Sequence, residues 1–113
     1  MISEETINQA VELLKKAAPD ARIILFGSQA RKTAKDRSDL DFLVVEPKVE
    51  AKYEEEMRLR DVLRPLHIPV DLHVASREFF DEWSQAPGTV YYWAAKEGRV
   101  LYAPKKARWI IID

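Results

Sequence analysis

The chain has 113 residues, 47% of them hydrophobic and 33% charged, which fits one compact domain and excludes wholesale disorder. Its 18 basic and 19 acidic residues give a formal net charge of −1, without the basic excess of a dedicated nucleic-acid binder. There is no cysteine for a disulfide or thiolate metal site, and no signal-peptide pattern or apolar run of about 20 residues, so we expect a cytoplasmic protein.

Hydrophobic periodicity and turn residues predict that helices and strands alternate along the chain. Apolar residues at helical spacing follow a candidate N-cap, and short β-rich runs bounded by glycine or proline predict strands. The predicted elements, in chain order, are a helix from Ser3 to Pro19, a strand at 22–26, a short helix after Gly27, a strand at 40–46, a helix over about 51–66, a strand at 68–75, helices at 77–83 and 90–97, and a strand at 99–103.

This order predicts a single α/β domain over residues 1–113, with a small mixed sheet and helices packed mainly on one face. On the 51–66 helix, Glu54 with Arg58 is a predicted ion pair of i,i+4 spacing. The tail at 105–113 ends in an apolar, β-prone run, so it is either a strand at a sheet edge or a partner-binding segment. Four aromatic residues of the last two helices either pack in the core or form a binding surface: Trp83, Tyr91, Tyr92 and Trp93.

Asp39 and Asp41 are separated by one residue at the start of the 40–46 strand. Side chains at i and i+2 of a strand point to one face, so both carboxylates project from the same side. Two such anions repel each other unless a cation or a proton lies between them, and hard oxygen ligands suit Mg²⁺. An isolated pair of this kind also fits an ordinary solvated strand edge.

Gly27 and Ser28 follow the 22–26 strand and open the short helix. Glycine lets the backbone approach a phosphate closely, and a helix N-terminus offers free N–H groups and the positive end of the helix dipole. Ser28 adds a hydroxyl donor. Many turns contain Gly-Ser, and no Lys-Ser/Thr follows at P-loop spacing, so a Walker-type site is disfavoured.

Asp71 is the third candidate acid. In its strand it alternates with apolar residues that face the core, so Asp71 and His73 share the opposite face. An acid in a strand that reads as buried is costly unless it is paired or bound to a metal. If this strand lies beside the 40–46 strand, Asp71 joins the aspartate pair and could deprotonate an attacking hydroxyl. His73 either contacts this site or makes an ordinary hydrogen bond to a neighbour.

The stretch from Gly27 to Asp41, GSQARKTAKDRSDLD, combines the two motifs at a fixed spacing that arises by chance in roughly one chain in a thousand. It resembles the GS-x10-D-x-D signature of the DNA polymerase beta-type nucleotidyltransferases, and more specifically the minimal nucleotidyltransferases (MNT) of prokaryotes. The resemblance extends to about Pro104, and it departs at Lys32, where many members have glycine. The matching residues are Gly27, Ser28, Ala30, Arg31, Ser38, Asp39 and Asp41, with Asp71 as the third acid.

The resemblance implies the nucleotidyltransferase fold and an enzyme that uses ATP with Mg²⁺, most simply two ions. Asp39, Asp41 and Asp71 would be the catalytic and metal-binding acids, and Asp71 would also be the general base. An acceptor hydroxyl would attack the α-phosphorus of ATP and release pyrophosphate. The implied contacts to the triphosphate are Gly27, Ser28 and Arg31.

Family members of this size lack an acceptor-binding domain and are typically encoded beside a HEPN-domain protein, often a ribonuclease toxin. The resemblance therefore implies an antitoxin that transfers AMP to a hydroxyl, in the first instance a tyrosine, of its HEPN partner. Two alternatives stay open: an antitoxin that neutralises by binding alone, and a nucleotidyltransferase that modifies a small hydroxylated molecule. The expected partners are a HEPN-domain protein and a nucleoside triphosphate, in a homo- or hetero-oligomer, without nucleic acid or membrane.

Overall fold

The computed structural model describes residues 2–27, 30 and 39–104. Their helices and strands agree with the predicted elements to within about two residues, and no described helix is long and apolar enough to cross a membrane. The short helix predicted after Gly27 falls mainly outside this set, as does the tail at 105–113. The elements are α1 (Glu4–Ala17), β1 (Arg22–Phe26), β2 (Leu40–Glu46), α2 (Lys52–Leu63) with a 3₁₀ turn (Arg64–Leu66), β3 (Val70–Ser76), α3 (Arg77–Trp83), α4 (Val90–Glu97) and β4 (Arg99–Tyr102).

Helix boundaries follow from capping residues. Ser3 precedes α1 with extended backbone, and its hydroxyl accepts a hydrogen bond from the N–H of Thr6 at 3.1 Å. Ser76 and Thr89 do the same at the starts of α3 and α4. Because each cap satisfies an N–H group that the helix leaves unpaired, these three starts are fixed by local sequence.

The sheet has the strand order β3-β2-β1-β4, with β1 antiparallel to β2 and β4, and β2 parallel to β3. The predicted mixed sheet is therefore confirmed. Two parallel neighbours need a long crossover connection, and α2 supplies it between β2 and β3. The register of this pair places Asp41 opposite Asp71.

Two apolar clusters cover the two faces of the sheet. The longer helices α1 and α2 pack on one face through Leu14 and Leu59, both fully buried, against alternate strand residues such as Phe42. The short helices α3 and α4 contribute Phe80 and Ala94 to a smaller cluster on the other face. Since strand side chains alternate, Asp41 and Asp71 lie on this second face, which α3 and α4 cover only in part.

A carboxyl pair lies where β2 ends. Arg58 of α2 donates two hydrogen bonds to Glu55, at 2.9 and 2.7 Å, and a third to the carbonyl oxygen of Ala17 at the end of α1. Burial, assisted by the hydrogen bond and charge of Glu55, raises the pKa of Glu46 from 4.5 to about 8. The hydrogen bond from Arg58 is the main cause that lowers the pKa of Glu55 to about 2. Glu46 therefore carries a proton at neutral pH, beside an ionised Glu55.

The predicted pair of Glu54 with Arg58 is replaced by the pair of Glu55 with Arg58, at i,i+3 spacing. Glu54 is exposed, whereas Glu55 faces Glu46, and Arg58 itself reaches the carbonyl of Ala17 at the end of α1. A single arginine thereby connects α2 to α1 and offsets the negative charge beside the end of β2. Tertiary contacts, rather than helical spacing alone, selected the partner.

We predict that Glu46→Gln makes the domain less sensitive to alkaline pH. Native Glu46 holds its proton up to about pH 8, whereas the unfolded chain releases it near 4.5, so wild-type stability falls between these values. Glutamine can donate a similar hydrogen bond but does not titrate. Urea unfolding should show the stability of Glu46→Gln, relative to wild type, rising by about 1–2 kcal/mol between pH 5 and pH 8.5, a value discounted because the group is only half buried.

Glu54→Gln is the matched control, because Glu54 is an exposed glutamate of the same neighbourhood. Between pH 5 and pH 8.5, its stability difference from wild type should change less than that of Glu46→Gln. An equal difference at both pH values for Glu46→Gln would contradict the prediction.

Candidate active site

The candidate site is built on one row of side chains across three strands. Phe26, the last residue of β1, is paired with Asp41 of β2, and Asp41 is paired with Asp71 of β3. Residues paired in this way point to the same face of a sheet. The condition that the sequence left open, a strand of Asp71 beside the strand of Asp41, is therefore met.

Asp39 immediately precedes β2 and is exposed. Leu40, which separates it from Asp41, is fully buried in the core under α1 and α2. The burial of Leu40 fixes the position of the backbone at the start of β2. Asp39 thus lies directly before the strand and two residues from Asp41, and the common direction of the two carboxylates stays a prediction.

Gly27 lies against the carboxylate of Asp41. Its backbone φ is +76°, a value that residues with a side chain rarely adopt. A Cβ atom built on Gly27 would be 3.1 Å from Cγ of Asp41 and closer still to Oδ2 of Asp41. A glycine is thus required at this position both by the positive φ and by the close contact of the backbone with the carboxylate of Asp41. The sequence suggested glycine for a phosphate, and the structure adds that glycine makes room for a candidate metal ligand.

Asp71 is less buried than the sequence suggested. Its side chain is 48% exposed, and Oδ2 lies 3.3 Å from Nε2 of His73. The argument that a buried acid needs a partner therefore does not apply to this residue, because about half of its side chain is exposed. The exposure makes Asp71 accessible to a substrate.

Among the described residues, no group of three or more His, Cys, Asp or Glu side chains is close enough to hold a metal ion. The register does, however, place two carboxylates side by side, with Asp39 two residues from one of them. This donor set fits Mg²⁺, which takes one or two carboxylates from a protein and completes its shell with water and substrate phosphates. The predicted phosphate contacts Ser28 and Arg31 lie outside the described residues.

A family model, the nucleotidyltransferase domain, matches residues 7–96, which include all the elements that carry the acids. The chain belongs to this family. The resemblance detected in the sequence is thereby confirmed at the level of the family. A search of the curated proteins found no significant match.

Solved structures with the same fold include members of the minimal nucleotidyltransferase group. A structure described as a candidate minimal nucleotidyltransferase is 26% identical, with a TM-score of 0.63, and the match covers 89% of this chain and 97% of that one. A toxin–antitoxin structure with AMP-PNP is 22% identical, with a TM-score of 0.64 and coverages of 92% and 76%. The Shewanella oneidensis complex of a tri-AMPylated HEPN toxin with its MNT antitoxin is 19% identical, with a TM-score of 0.61 and coverages of 90% and 73%. The predicted nucleotidyltransferase fold is confirmed.

Two aromatic features extend this face. Phe26 stands in the row of the acids, and its ring centroid lies 6.2 Å from that of His73, a contact that sequence reasoning missed although strand alternation places Phe26 on this face. Farther along, Phe79 stacks on Trp83 and meets Tyr91 edge to face. Trp83 and Trp93 are 41% and 45% exposed, so the last helices present aromatic surface as well as filling the core.

We predict that Gly27→Ala lowers the affinity for a divalent cation by about 10-fold or more, because the new methyl group displaces the carboxylate of Asp41. Gly88→Ala is the matched control, since Gly88 also has positive φ, +92°, but has no atom within 4 Å of an added Cβ. Both variants should lose about 1–2 kcal/mol of stability from backbone strain. Titration calorimetry with Mn²⁺ and a non-hydrolysable ATP analogue distinguishes them; equal losses of affinity would contradict the prediction.

Proposed function

We propose that this nucleotidyltransferase transfers AMP from ATP to a tyrosine hydroxyl of a HEPN-domain toxin, with Mg²⁺, and is the antitoxin of that toxin. The observation that carries the proposal is the pairing of Asp41 with Asp71 in a chain of the nucleotidyltransferase domain family. Two carboxylates on one open face can bind a cation together with a triphosphate. The contact of Gly27 with Asp41 fixes the end of β1 beside them.

The acids divide the chemical work between them. Asp39, Asp41 and Asp71 would hold one or two Mg²⁺ ions, which supply positive charge to the triphosphate and to the leaving pyrophosphate. Asp71, whose side chain is half exposed, would accept the proton of the acceptor hydroxyl. The hydroxyl oxygen bonds to the α-phosphorus as the bond to the bridging oxygen of the β-phosphate breaks. Gly27, Ser28 and Arg31 are the proposed phosphate contacts.

Support for a protein acceptor comes from two sources. The fold is shared with antitoxins of HEPN toxins, including a complex in which the toxin is AMPylated. Independently, Phe79, Trp83 and Trp93 are each 40% or more exposed. Aromatic side chains are enriched in protein interfaces, so these helices are suited to binding another protein.

We predict that a HEPN-domain protein is encoded beside the gene of this chain, and that the purified chain transfers label to it from α-³²P-ATP in the presence of Mg²⁺. Asp41→Asn and Asp71→Asn should each lower the rate by about 100-fold or more, because one removes a metal ligand and the other the general base. Asp20→Asn is the control, since Asp20 is an exposed aspartate of the turn between α1 and β1, away from the proposed partner surface. Chelation of Mg²⁺ should abolish transfer.

Several outcomes would contradict this proposal. If wild type and Asp41→Asn both leave the toxin unlabelled but neutralise it equally, the chain acts by binding alone. If label appears on a small hydroxylated molecule and not on the protein, the acceptor assigned here is wrong. If Asp71→Asn transfers label as fast as Asp20→Asn, Asp71 is not the general base.

A further inference from the structure

His73 is the side chain that contacts Asp71 directly. The two residues are two apart on β3, so both point to the face that α3 and α4 cover in part. Nε2 of His73 lies 3.3 Å from Oδ2 of Asp71, which is a long but acceptable hydrogen bond. Since Asp71 in its ionised form can only accept, the imidazole must be the donor.

The imidazole is itself held by its surroundings. Only 27% of the His73 side chain is exposed, compared with 48% for Asp71. The ring of Phe26, which is 8% exposed, lies against it with a centroid distance of 6.2 Å and an interplanar angle of 44°. Leu43, the residue of β2 paired with His73, is fully buried beside it. The donor, His73, is therefore packed among its neighbours, whereas the acceptor, Asp71, is more exposed to solvent.

This arrangement has a consequence for the carboxylate. A half-exposed aspartate can adopt several rotamers, and the neighbouring carboxylate of Asp41 repels it in some of them. A hydrogen bond from a packed imidazole selects among these rotamers. It occupies Oδ2 and leaves the other oxygen of Asp71 for a cation or for the proton of a hydroxyl.

We propose that His73 is a positioning residue, which donates from Nε2–H to Asp71 and fixes the orientation of that carboxylate in the nucleotidyltransferase site. The inference rests on the proposed function for its catalytic meaning, but not for the contact itself. Groups that hold a metal ligand through such a hydrogen bond typically contribute 10- to 100-fold to metal affinity or activity. His73 acts through Asp71 and does not touch the substrate.

The contact is tested by the NMR spectrum of the imidazole, without substrate or activity. The chain has two histidines, and the other, His67, is exposed in a left-handed turn where asparagine is well tolerated. In the His67→Asn variant, nitrogen-edited spectra therefore report on His73 alone. We expect a proton on Nε2 whose shift changes when Asp71→Ala is added. A proton on Nδ1 only, unaffected by Asp71→Ala, would overturn the proposal.

The role is tested by two substitutions of His73. Gln can donate a hydrogen bond from a similar position, whereas Leu fills the space without a donor. With a non-hydrolysable ATP analogue, Mn²⁺ affinity should fall by about 10-fold or more in His73→Leu and be largely restored in His73→Gln. The same order should hold for the rate of label transfer, with His67→Asn equal to wild type.

These measurements separate the inference from the proposed function. If wild type transfers no label but the NMR and Mn²⁺ results are as expected, the positioning role stands and the assigned reaction fails. If label is transferred and His73→Leu binds Mn²⁺ as wild type does, the reaction stands and the positioning role fails. Circular dichroism shows whether His73→Leu folds. If it does not, the NMR comparison and the His73→Gln variant test the proposal instead. Loss of Mn²⁺ affinity in a folded His73→Gln would contradict a role limited to the hydrogen bond.

Discussion

The parallel pairing of β2 with β3 is the constraint on which the candidate site depends. It places Asp41 opposite Asp71, and α2 maintains it by spanning the crossover and burying Leu59 and Leu63 against the sheet. A slip of one residue would send Asp71 into the core and bring Leu72 to the open face, which opposes any change of register. The geometry of the acids is therefore stabilised by the hydrophobic core on the other side of the sheet.

The two ends of β2 bring acidic groups together in different ways. At its C-terminal end, burial and a neighbouring carboxylate leave Glu46 protonated, and the hydrogen bonds from Arg58 stabilise the ionised form of Glu55. At the start, Asp41 and Asp71 are paired on a face that α3 and α4 leave partly open. Like charges need a proton, an arginine or a cation between them. At Glu46 and Glu55 the proton and the arginine stabilise the fold. At Asp41 and Asp71 the carboxylates are accessible to a cation.

Sequence reasoning predicted the elements well because capping and periodicity act locally. Ser3, Ser76 and Thr89 each accept a hydrogen bond from an N–H three residues on, which a reader of the sequence can anticipate. It failed where contacts with other elements selected between two partners on the same helix. Arg58 binds Glu55 rather than Glu54 because Glu55 faces Glu46 at the end of β2, and Arg58 also donates to the carbonyl of Ala17.

The sequence by itself determined the motif from Gly27 to Asp41 and the alternation that separates Asp71 from the core, because strand geometry with a period of two dictates which face each side chain takes. Only the tertiary structure decided that Asp71 stands opposite Asp41, that Gly27 is packed against Asp41, and that His73 reaches Asp71 while Phe26 supports it. Those contacts join three strands, two of them separated by a crossover helix. Their register is selected by the burial of side chains across the whole sheet, which no local pattern specifies.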